Sequence, residues 1–422
     1  MKTVIERKDI NLTAPVGSFE SLQAAIRSGA NSVYFGVNKL NMRARSSVNF
    51  NKDDLKKIVD VCNENNIDAY LTLNIVFYDN EIRQMQEIVG IAREYGVKAI
   101  IASDQAVIAY ARSVNMEVHI STQVNISNYE SLRHYAHYAD AIVLARELNL
   151  DQVKEIYQRI IKDNLSGPSG DLLKLEMFVH GALCMSISGK CYLSLHEHGY
   201  SANRGACLQD CRRAYIVKEK ETDFELEVDN EYIMSPKDLC TIHFMNKLLD
   251  AGVRIFKIEG RARPPEYVYT VVSCYNEAID AILEGSYTSD KIADWRERLS
   301  GVFNRGFWDG YYLGQKLGEW SEVYGSKAKK RKIYIAKGMN YFSKLKVAEF
   351  LCEAGKLRIG DEIIIMGPTT GIIKSRVHEI RVNFEKVDET VQGERFSIPM
   401  EQIIRRSDKL YKWEDVNDLG KL

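Results

Sequence analysis

The sequence predicts an α/β protein: a TIM-like (β/α) barrel with a cysteine-rich insertion, followed by a small all-β barrel. Short β-rich runs alternate with amphipathic helical stretches, which is typical of right-handed βαβ units and a parallel sheet. About eight such strands precede residue 260. No Gly-x-Gly-x-x-Gly follows any of them, which favours a closed barrel over an open dinucleotide-binding sheet. After about residue 330 the runs become short and alternating, as in small β-barrels.

The predicted barrel strands are apolar, β-branched runs, as expected of strands buried on both faces. They lie at 11–14, 32–35, 69–75, 98–102, 117–121, 141–145, 174–180 and 254–258. Helices are predicted at 18–28, 53–64, 80–95, 151–162, 241–251 and 266–284. In the second helix, Leu55, Ile58, Val59 and Cys62 recur at helical spacing.

Two domains follow from this pattern. We place the barrel at 1–325, with the cysteine-rich segment at 181–240, and the small β-barrel at 326–410. The predicted strands of the second domain are 332–336, 343–350, 361–366, 375–383 and 401–405. The charged run 327–332 marks the boundary between the domains.

Charge and hydropathy exclude several classes of protein. The chain has 57 Lys and Arg against 58 Asp and Glu, which excludes a polycation but not a local basic patch. The run 327–332, with Arg405 and Arg406, is compatible with contacts to a phosphate backbone and equally with a solvated linker. No apolar run approaches the roughly 18 residues of a membrane helix, and the N-terminus carries no apolar leader. We therefore expect a cytoplasmic protein with no membrane contact.

The cysteines are unevenly distributed. Five of the eight fall in one segment, namely Cys184, Cys191, Cys207, Cys211 and Cys240. In a reducing compartment such clustering indicates metal or redox chemistry rather than disulfides. Only Cys207 and Cys211 have the spacing of a zinc module, whereas iron–sulfur clusters tolerate irregular spacing. The residues alone leave an iron–sulfur cluster, zinc and a redox dithiol open, with His180, His196 and His198 as further candidate ligands. The other three cysteines are expected to be buried core residues.

Polar residues follow several predicted strands, where a barrel opens its active-site mouth. Lys257 and Glu259 follow the apolar part of the last strand and would point together into this mouth, as catalytic groups or as a structural ion pair. His180 ends the seventh strand and is the third catalytic candidate. The candidate substrate-binding residues are Arg43, Arg45, Asn74, Gln123, Arg146, Arg204 and Arg261. Their guanidinium groups suit a carboxylate or phosphate, with a solvated charged face as the alternative.

Six segments resemble the peptidase U32 (collagenase-like) family. They read EMFVHGALC at 176–184, SGKCYLS at 188–194, NRGAC at 203–207, SPKDLC at 235–240, KIEGR at 257–261 and FNRGF at 303–307. The likeness runs in order from residue 14 to about 325, and the C-terminal barrel is similar to the family's accessory domain. Such an ordered combination is far more specific than a lone motif.

The resemblance implies an iron–sulfur protein that hydroxylates tRNA without molecular oxygen, forming 5-hydroxyuridine at the wobble position in a prephenate-linked reaction. It implies a [4Fe–4S] cluster on Cys184, Cys191, Cys207 and Cys240, with Cys211 as a spare or a replacement.

The resemblance also suggests how substrates would bind. Arg43, Arg45, Arg146 and Arg261 would hold a small dicarboxylate such as prephenate, while the small barrel and the run 327–332 grip the tRNA. The alternatives are an rRNA cytidine hydroxylase of the same family and a collagenase-like metal-dependent protease. A non-catalytic subunit that requires a paralogous partner is a further alternative, and a homo-oligomer also stays open.

Overall fold

The computed structural model describes residues 5–38, 40–45, 49–216, 232 and 234–416. Eight parallel strands close into a barrel in the order β1-β2-β3-β4-β5-β6-β7-β9, with β9 returning to β1. They are β1 (Asn11–Pro15), β2 (Ser32–Phe35), β3 (Asp68–Leu73), β4 (Ala99–Ala102), β5 (Glu117–Ile120), β6 (Ala141–Val143), β7 (Lys174–Gly181) and β9 (Val253–Ile258). The predicted TIM-like barrel is confirmed, and each predicted barrel strand overlaps an observed one.

The described residues form ten α-helices. They are α1 (Phe19–Arg27), α2 (Asp54–Glu64), α3 (Ile82–Tyr95), α4 (Gln105–Ser113), α5 (Tyr129–Ala136), α6 (Leu150–Lys162), α7 (Leu193–His198), α8 (Met245–Asp250), α9 (Pro265–Leu283) and α10 (Ser289–Ser300). The first begins after Ser18, whose hydroxyl oxygen accepts a hydrogen bond from the Ser21 amide at 3.2 Å and so caps the helix. Within the described ranges, no helix has both the length and the apolar character needed to cross a membrane.

The barrel strands separate two different environments. Side chains that face the helices, such as those of Leu12 and Ala14, belong to the main hydrophobic core. Several polar and aromatic side chains are buried inside the barrel: Thr13, Ser32, Tyr34, Tyr70, Thr72, His119, Glu176 and Lys257. This interior differs from the layers of branched apolar residues that usually fill such barrels.

The cysteine-rich insertion begins where β7 ends. It contains α7 and two 3-10 turns, at Ala202–Arg204 and Asp210–Arg212. It ends in β8 (Asp238–Cys240), which pairs antiparallel with the end of β7 and parallel with β10 (Phe307–Trp308). Part of the predicted insertion, residues 217–231 and 233, lies outside the described residues.

An eight-stranded antiparallel sheet forms the C-terminal domain, in the order β14-β13-β18-β11-β12-β17-β15-β16. Its strands are β11 (Lys330–Phe342), β12 (Val347–Cys352), β13 (Glu362–Gly367), β14 (Gly371–Arg376), β15 (Ile380–Val382), β16 (Glu385–Val387), β17 (Arg395–Pro399) and β18 (Lys409–Asp415). A separate hydrophobic cluster fills it. The predicted strand at 401–405 is wrong, since the last strand begins only at Lys409.

This β-domain packs against the side of the barrel. Its strand β14 contacts α1 and α9, and Ile364, Met366 and Ile372 join the hydrophobic core of the barrel. Lys332 Nζ lies 2.9 Å from Glu266 Oε1 of α9. The two domains therefore share apolar contacts and an ion pair.

The cations of the charged run 327–332, a predicted RNA contact, all have acidic neighbours in the structure. Each of its cations is paired with a carboxylate: Lys327 with Glu322, Lys329 with Glu297, Lys330 with Glu362, Arg331 with Glu414 and Lys332 with Glu266. Because these acids neutralise the run, it offers little net positive charge to a phosphate backbone.

Candidate functional site

A cavity of about 190 Å³ opens at the carboxyl ends of the barrel strands. The residues that line it follow the ends of different strands: Asn74 after β3, Thr122 and Gln123 after β5, Arg146 after β6, and Glu259 after β9. The cysteine-rich insertion completes the wall. This is where TIM barrels place their active sites.

Four cysteines of the insertion line this cavity: Cys184, Cys191, Cys207 and Cys211. Burial raises the pKa of the Cys207 thiol and that of the Cys211 thiol, the latter to about 11, and the neighbouring cysteines add to both shifts. A bound cation would reverse this shift, because metal coordination deprotonates a thiol. The four sulfur atoms therefore form a set of potential ligands on one wall.

Cys240, which the predicted ligand list includes, is not among the cysteines that line this cavity. It lies in β8, is 2 % exposed and does not line the cavity. Strand β8 runs antiparallel to the end of β7. The Cys240 thiol forms a hydrogen bond with Tyr275 of α9. The structure places Cys211 with the other three cysteines instead.

Glu259 and Arg43 form an ion pair in the cavity wall. Arg43 Nη2 lies 2.7 Å from Glu259 Oε1, and Nε lies 3.2 Å from the same oxygen. Burial opposes ionisation of Glu259, but the charges of Arg43, Arg146 and Arg261 outweigh it and lower its pKa to about 2. Glu259 is therefore ionised at neutral pH. It can hold Arg43 in place, but it has no proton to donate.

Four other arginines line the cavity and make no ion pair among the described residues: Arg146, Arg212, Arg261 and Arg263. Arg261 is 5 % exposed, and its Nη1 donates to Asn41 Oδ1 at 3.0 Å and to Thr72 Oγ1 at 2.8 Å. Burial lowers its pKa to about 10. Arg146 lies 3.9 Å from the centre of the Phe178 ring, and its buried Nε has no hydrogen-bond partner.

Among the described residues, these four guanidinium groups give the cavity lining an excess of positive charge. A buried charge without a partner is costly, and an anion in the cavity would remove that cost. The arrangement suits a ligand with one or more carboxylates or phosphates, since guanidinium binds both bidentately.

Lys257 also reaches the cavity, from the floor. Its Nζ lies 2.6 Å from Glu176 Oε1 in the barrel interior. Burial raises the pKa of Glu176, but Lys257 and His119 reverse the effect and hold it at about 2. The predicted pairing of Lys257 with Glu259 is thus replaced by two separate pairs, Lys257 with Glu176 and Arg43 with Glu259.

His180, a predicted catalytic residue, does not line the described cavity. The pairing of β7 with β9 shifts between Phe178 and His180, so that Phe178 opposes Lys257 while His180 opposes Ile258. The bulge turns the imidazole away from the barrel interior, and Nδ1 lies 3.3 Å from the Tyr275 hydroxyl. Burial lowers the pKa of His180 to about 3.

Two predicted substrate-binding arginines also lie outside the cavity. Arg45 is exposed and stacks on the Tyr200 ring at 3.9 Å. Arg204 pairs with Glu81 at 2.6 Å and covers the Tyr78 ring. By contrast, Arg43, Asn74, Gln123, Arg146 and Arg261 all line the cavity.

Sequence reasoning missed the polar residues of the floor, above all Glu176, His119 and Tyr34. The Tyr34 hydroxyl donates to the Ile258 carbonyl at 2.8 Å and closes the floor beside Glu259. The sequence could have indicated Glu176 and His119, because each is an ionisable residue within an apolar strand, and a strand buried on both faces can hold such a residue only with a partner.

Fold and site together define a TIM-barrel protein whose mouth combines a group of cysteines with a group of arginines. Within that class the family can be stated. The sequence model of peptidase family U32 matches residues 17–322, and the chain belongs to this family.

Curated relatives carry two kinds of name. The chain is 58 % identical over 406 residues to a protein of Porphyromonas gingivalis named collagenase, covering 96 % of this chain and 98 % of the relative. It is 30 % identical to the tRNA hydroxylation protein P1 of Bacillus subtilis, covering 87 % and 85 % of the two chains. It is 33 % identical to the 23S rRNA 5-hydroxycytidine C2501 synthase of Escherichia coli, covering 65 % of this chain and 40 % of that one.

Proposed function

We propose that this protein is an oxygen-independent RNA hydroxylase of the cytoplasm, and specifically that it forms 5-hydroxyuridine at the wobble position of tRNA. One observation carries the proposal: four cysteines converge on one barrel cavity with four arginines that have no acidic partner among the described residues. The relatives named for hydroxylation of tRNA and rRNA support the choice of RNA as substrate.

The cysteines suit an iron–sulfur cluster better than a single zinc ion. Four thiolates on one tetrahedral zinc would lie about 3.8 Å apart, given Zn–S bonds of about 2.3 Å. Among the described residues, no three of these sulfur atoms lie within 4.8 Å of one another. The wider spacing fits a cluster of several iron atoms, which we propose is [4Fe–4S] on Cys184, Cys191, Cys207 and Cys211. Such a cluster would supply one-electron chemistry that no side chain provides.

The other residues of the cavity would bind and orient the substrates. Arg146, Arg261 and Arg263 present unpaired guanidinium groups for a dicarboxylate such as prephenate. Glu259 fixes Arg43 beside them through two contacts to one oxygen. The target base would enter the mouth flipped out of the RNA, and Asn74 and Gln123 offer amide groups to its edge.

The test is nucleoside mass spectrometry of total RNA from anaerobically grown cells with and without the gene. Loss of wobble 5-hydroxyuridine and its derivatives is the expected result. Loss of 5-hydroxycytidine from rRNA instead would point to the rRNA alternative. Unchanged RNA in a strain without a redundant enzyme would refute RNA hydroxylation.

Complementation connects the deletion to the cavity. A gene carrying Arg146→Gln should fail to restore the modification, because this removes a cavity guanidinium without changing the cysteines. Arg159→Gln is the matched control, since Arg159 lies on α6 and pairs with Glu130. A third strain should test whether a paralogous partner is needed, by expressing this chain alone in a host that lacks the pathway.

Collagenase activity is the second candidate function, because the Porphyromonas gingivalis relative with 58 % identity carries that name. The described cavity lining contains no histidine, and its carboxylate Glu259 is tied to Arg43. Zinc proteases generally use histidine and carboxylate ligands. Cleavage of collagen peptides by the purified protein, abolished by Arg146→Gln, would favour this candidate over hydroxylation.

A further inference from the structure

A chain of ionisable side chains runs from the floor of the cavity through the barrel interior. It begins at Lys257, which lines the cavity and is 4 % exposed. Lys257 Nζ lies 2.6 Å from Glu176 Oε1, and Glu176 Oε2 lies 3.4 Å from His119 Nδ1. On the other side of the ring, His119 Nε2 lies 3.2 Å from Glu117 Oε1.

The far end of this chain reaches water. Glu117 begins β5, at the end of the barrel opposite the cavity, and its side chain is 27 % exposed. Its Oε2 lies 3.4 Å from Lys98 Nζ, on a side chain that is 54 % exposed. The series therefore connects the cavity with solvent at the other end of the barrel.

We propose that Lys257, Glu176, His119 and Glu117 form a proton-transfer path between the cavity and solvent at the opposite end of the barrel. When Lys257 releases a proton into the cavity, protonated His119 donates its Nδ1 proton to the Glu176 carboxylate, which passes it to Lys257 Nζ. A half-turn of the imidazole then brings the vacated nitrogen toward Glu117, which delivers to it a proton taken from water. One proton enters for each that leaves, no electrons move, and the path can run in either direction.

Three further observations support the proposal. His119 and Glu176 are 2 % and 1 % exposed, and charges so deeply buried are expensive unless they have a use or excellent partners. Their facing atoms, His119 Nδ1 and Glu176 Oε2, are both buried and have no hydrogen-bond partner among the residues that the structure describes. The longest of the three distances within the path is therefore the 3.4 Å between His119 Nδ1 and Glu176 Oε2, which a small rotation of either side chain would shorten.

The surroundings of His119 favour its protonated form. Burial lowers its pKa, but Glu117 and Glu176 outweigh burial and raise it overall. The Tyr70 ring of β3 packs against the imidazole, with ring centres 4.7 Å apart. Lys257, on the far side of Glu176, is the cation closest to this group along the path.

Such a path would matter most while the mouth is covered. A large substrate seated over the cavity would separate Lys257 from solvent on that side. The exit beside Glu117 would stay open, because it lies at the opposite end of the barrel.

The direct test measures hydrogen exchange of histidine ring protons by NMR, on the full chain with its eight histidines labelled with nitrogen-15. His119→Gln identifies the His119 signal. His180 is the internal control, because it is 1 % exposed, packs among aromatic rings, and makes its side-chain hydrogen bond to the Tyr275 hydroxyl rather than to a carboxylate. We expect the His119 ring proton to exchange at least about tenfold faster than that of His180.

Variants then locate the route. Glu117→Gln keeps the hydrogen bond but cannot pass a proton, so it should slow His119 exchange by about tenfold or more. Ser32→Ala is the matched control, since it removes a buried hydroxyl of the barrel interior that is not in the path. Equal protection of His119 and His180, or exchange unaffected by Glu117→Gln, would overturn the proposal.

A second measurement rests on the proposed function. Glu117→Gln should slow single-turnover RNA modification, and imidazole in the buffer should restore the rate in this variant but not raise it in the wild-type protein. A purely structural defect would not respond to imidazole. A wild-type protein that modifies no RNA would count against the proposed function alone, because the exchange measurement needs no activity. An active wild type with an unimpaired Glu117→Gln variant would count against the path.

Discussion

Replacing Arg261 with methionine is expected to stabilise the ligand-free protein while removing its affinity for dicarboxylates. Arg261 is 5 % exposed and has no acidic partner among the described residues. Burial lowers its pKa from 12.5 to about 10. At about 1.36 kcal/mol per unit, this shift corresponds to roughly 3 kcal/mol of unfavourable ionisation in the folded state.

The sign follows from the direction of the shift. Because the folded pKa lies below the unfolded value, the penalty applies in full at pH 7 and fades only as the pH rises from about 10 toward 12.5. Arg261→Met also loses two hydrogen bonds, worth about 1 kcal/mol each. Neither acceptor is left without a bond, since Asn41 Oδ1 still accepts from the Arg43 amide and the Thr72 hydroxyl still donates to the Phe35 carbonyl. The net gain should be about 1 kcal/mol.

The assay is denaturant unfolding at pH 7 with and without prephenate. At a ligand concentration of about 100 times Kd, the wild-type protein should gain about 2.7 kcal/mol, whereas Arg261→Met should gain almost nothing. Arg159→Met, on an exposed face of α6, should respond to prephenate as the wild type does. A loss of more than about 2 kcal/mol in ligand-free Arg261→Met, or equal stabilisation of both proteins by prephenate, would refute the reasoning.

Three further predictions concern other parts of the molecule. Cys211→Ser should abolish iron–sulfur absorbance in anaerobically purified protein, whereas Cys240→Ser should retain it; the opposite pattern would restore Cys240 as the ligand. Lowering the pH should destabilise the barrel as Glu176 and Glu259 become protonated, because the pKa of each is about 2 in the folded protein. Each contributes roughly 3 kcal/mol that is present above pH 4.5 and lost as the pH falls toward 2, so urea unfolding of Glu259→Gln should depend less on pH in this range. Lys329→Gln should change the Kd for tRNA by less than about twofold, because Lys329 is already neutralised by Glu297; a larger loss in a gel-shift assay would reinstate the charged run as an RNA contact.

The strands of the barrel could be predicted from the sequence because parallel strands buried on both faces are apolar runs. The closure of the barrel was predicted only from the number of strands, while the register of β1 against β9 was not, since this pairing joins residues about 240 positions apart in the chain. The helices α4 and α5 were also not predicted. They have only nine and eight residues, too few for the apolar spacing that identified the longer helices.

The site was predicted in outline, and its errors have local causes. A single register shift between Phe178 and His180 reversed the expected direction of the His180 side chain. The antiparallel pairing of β8 with β7 took Cys240 away from the other cysteines, which spacing along the chain does not reveal. The charge of the run 327–332 is cancelled by acids as far as 83 positions away, as for Arg331 and Glu414.

The packing of the β-domain bears on the order in which this protein is made. Helices α1 and α9 contact β1, which pairs with β9 to close the barrel. The hairpin β13–β14, whose Ile364 and Ile372 pack onto the barrel core, leaves the ribosome about 100 residues after β9. During synthesis, strands β1 and β9 are therefore both available to pair well before the hairpin β13–β14 has been made. Chaperone binding is expected to concentrate on this interval, and chains truncated before the hairpin are expected to expose the apolar side of α1 and α9.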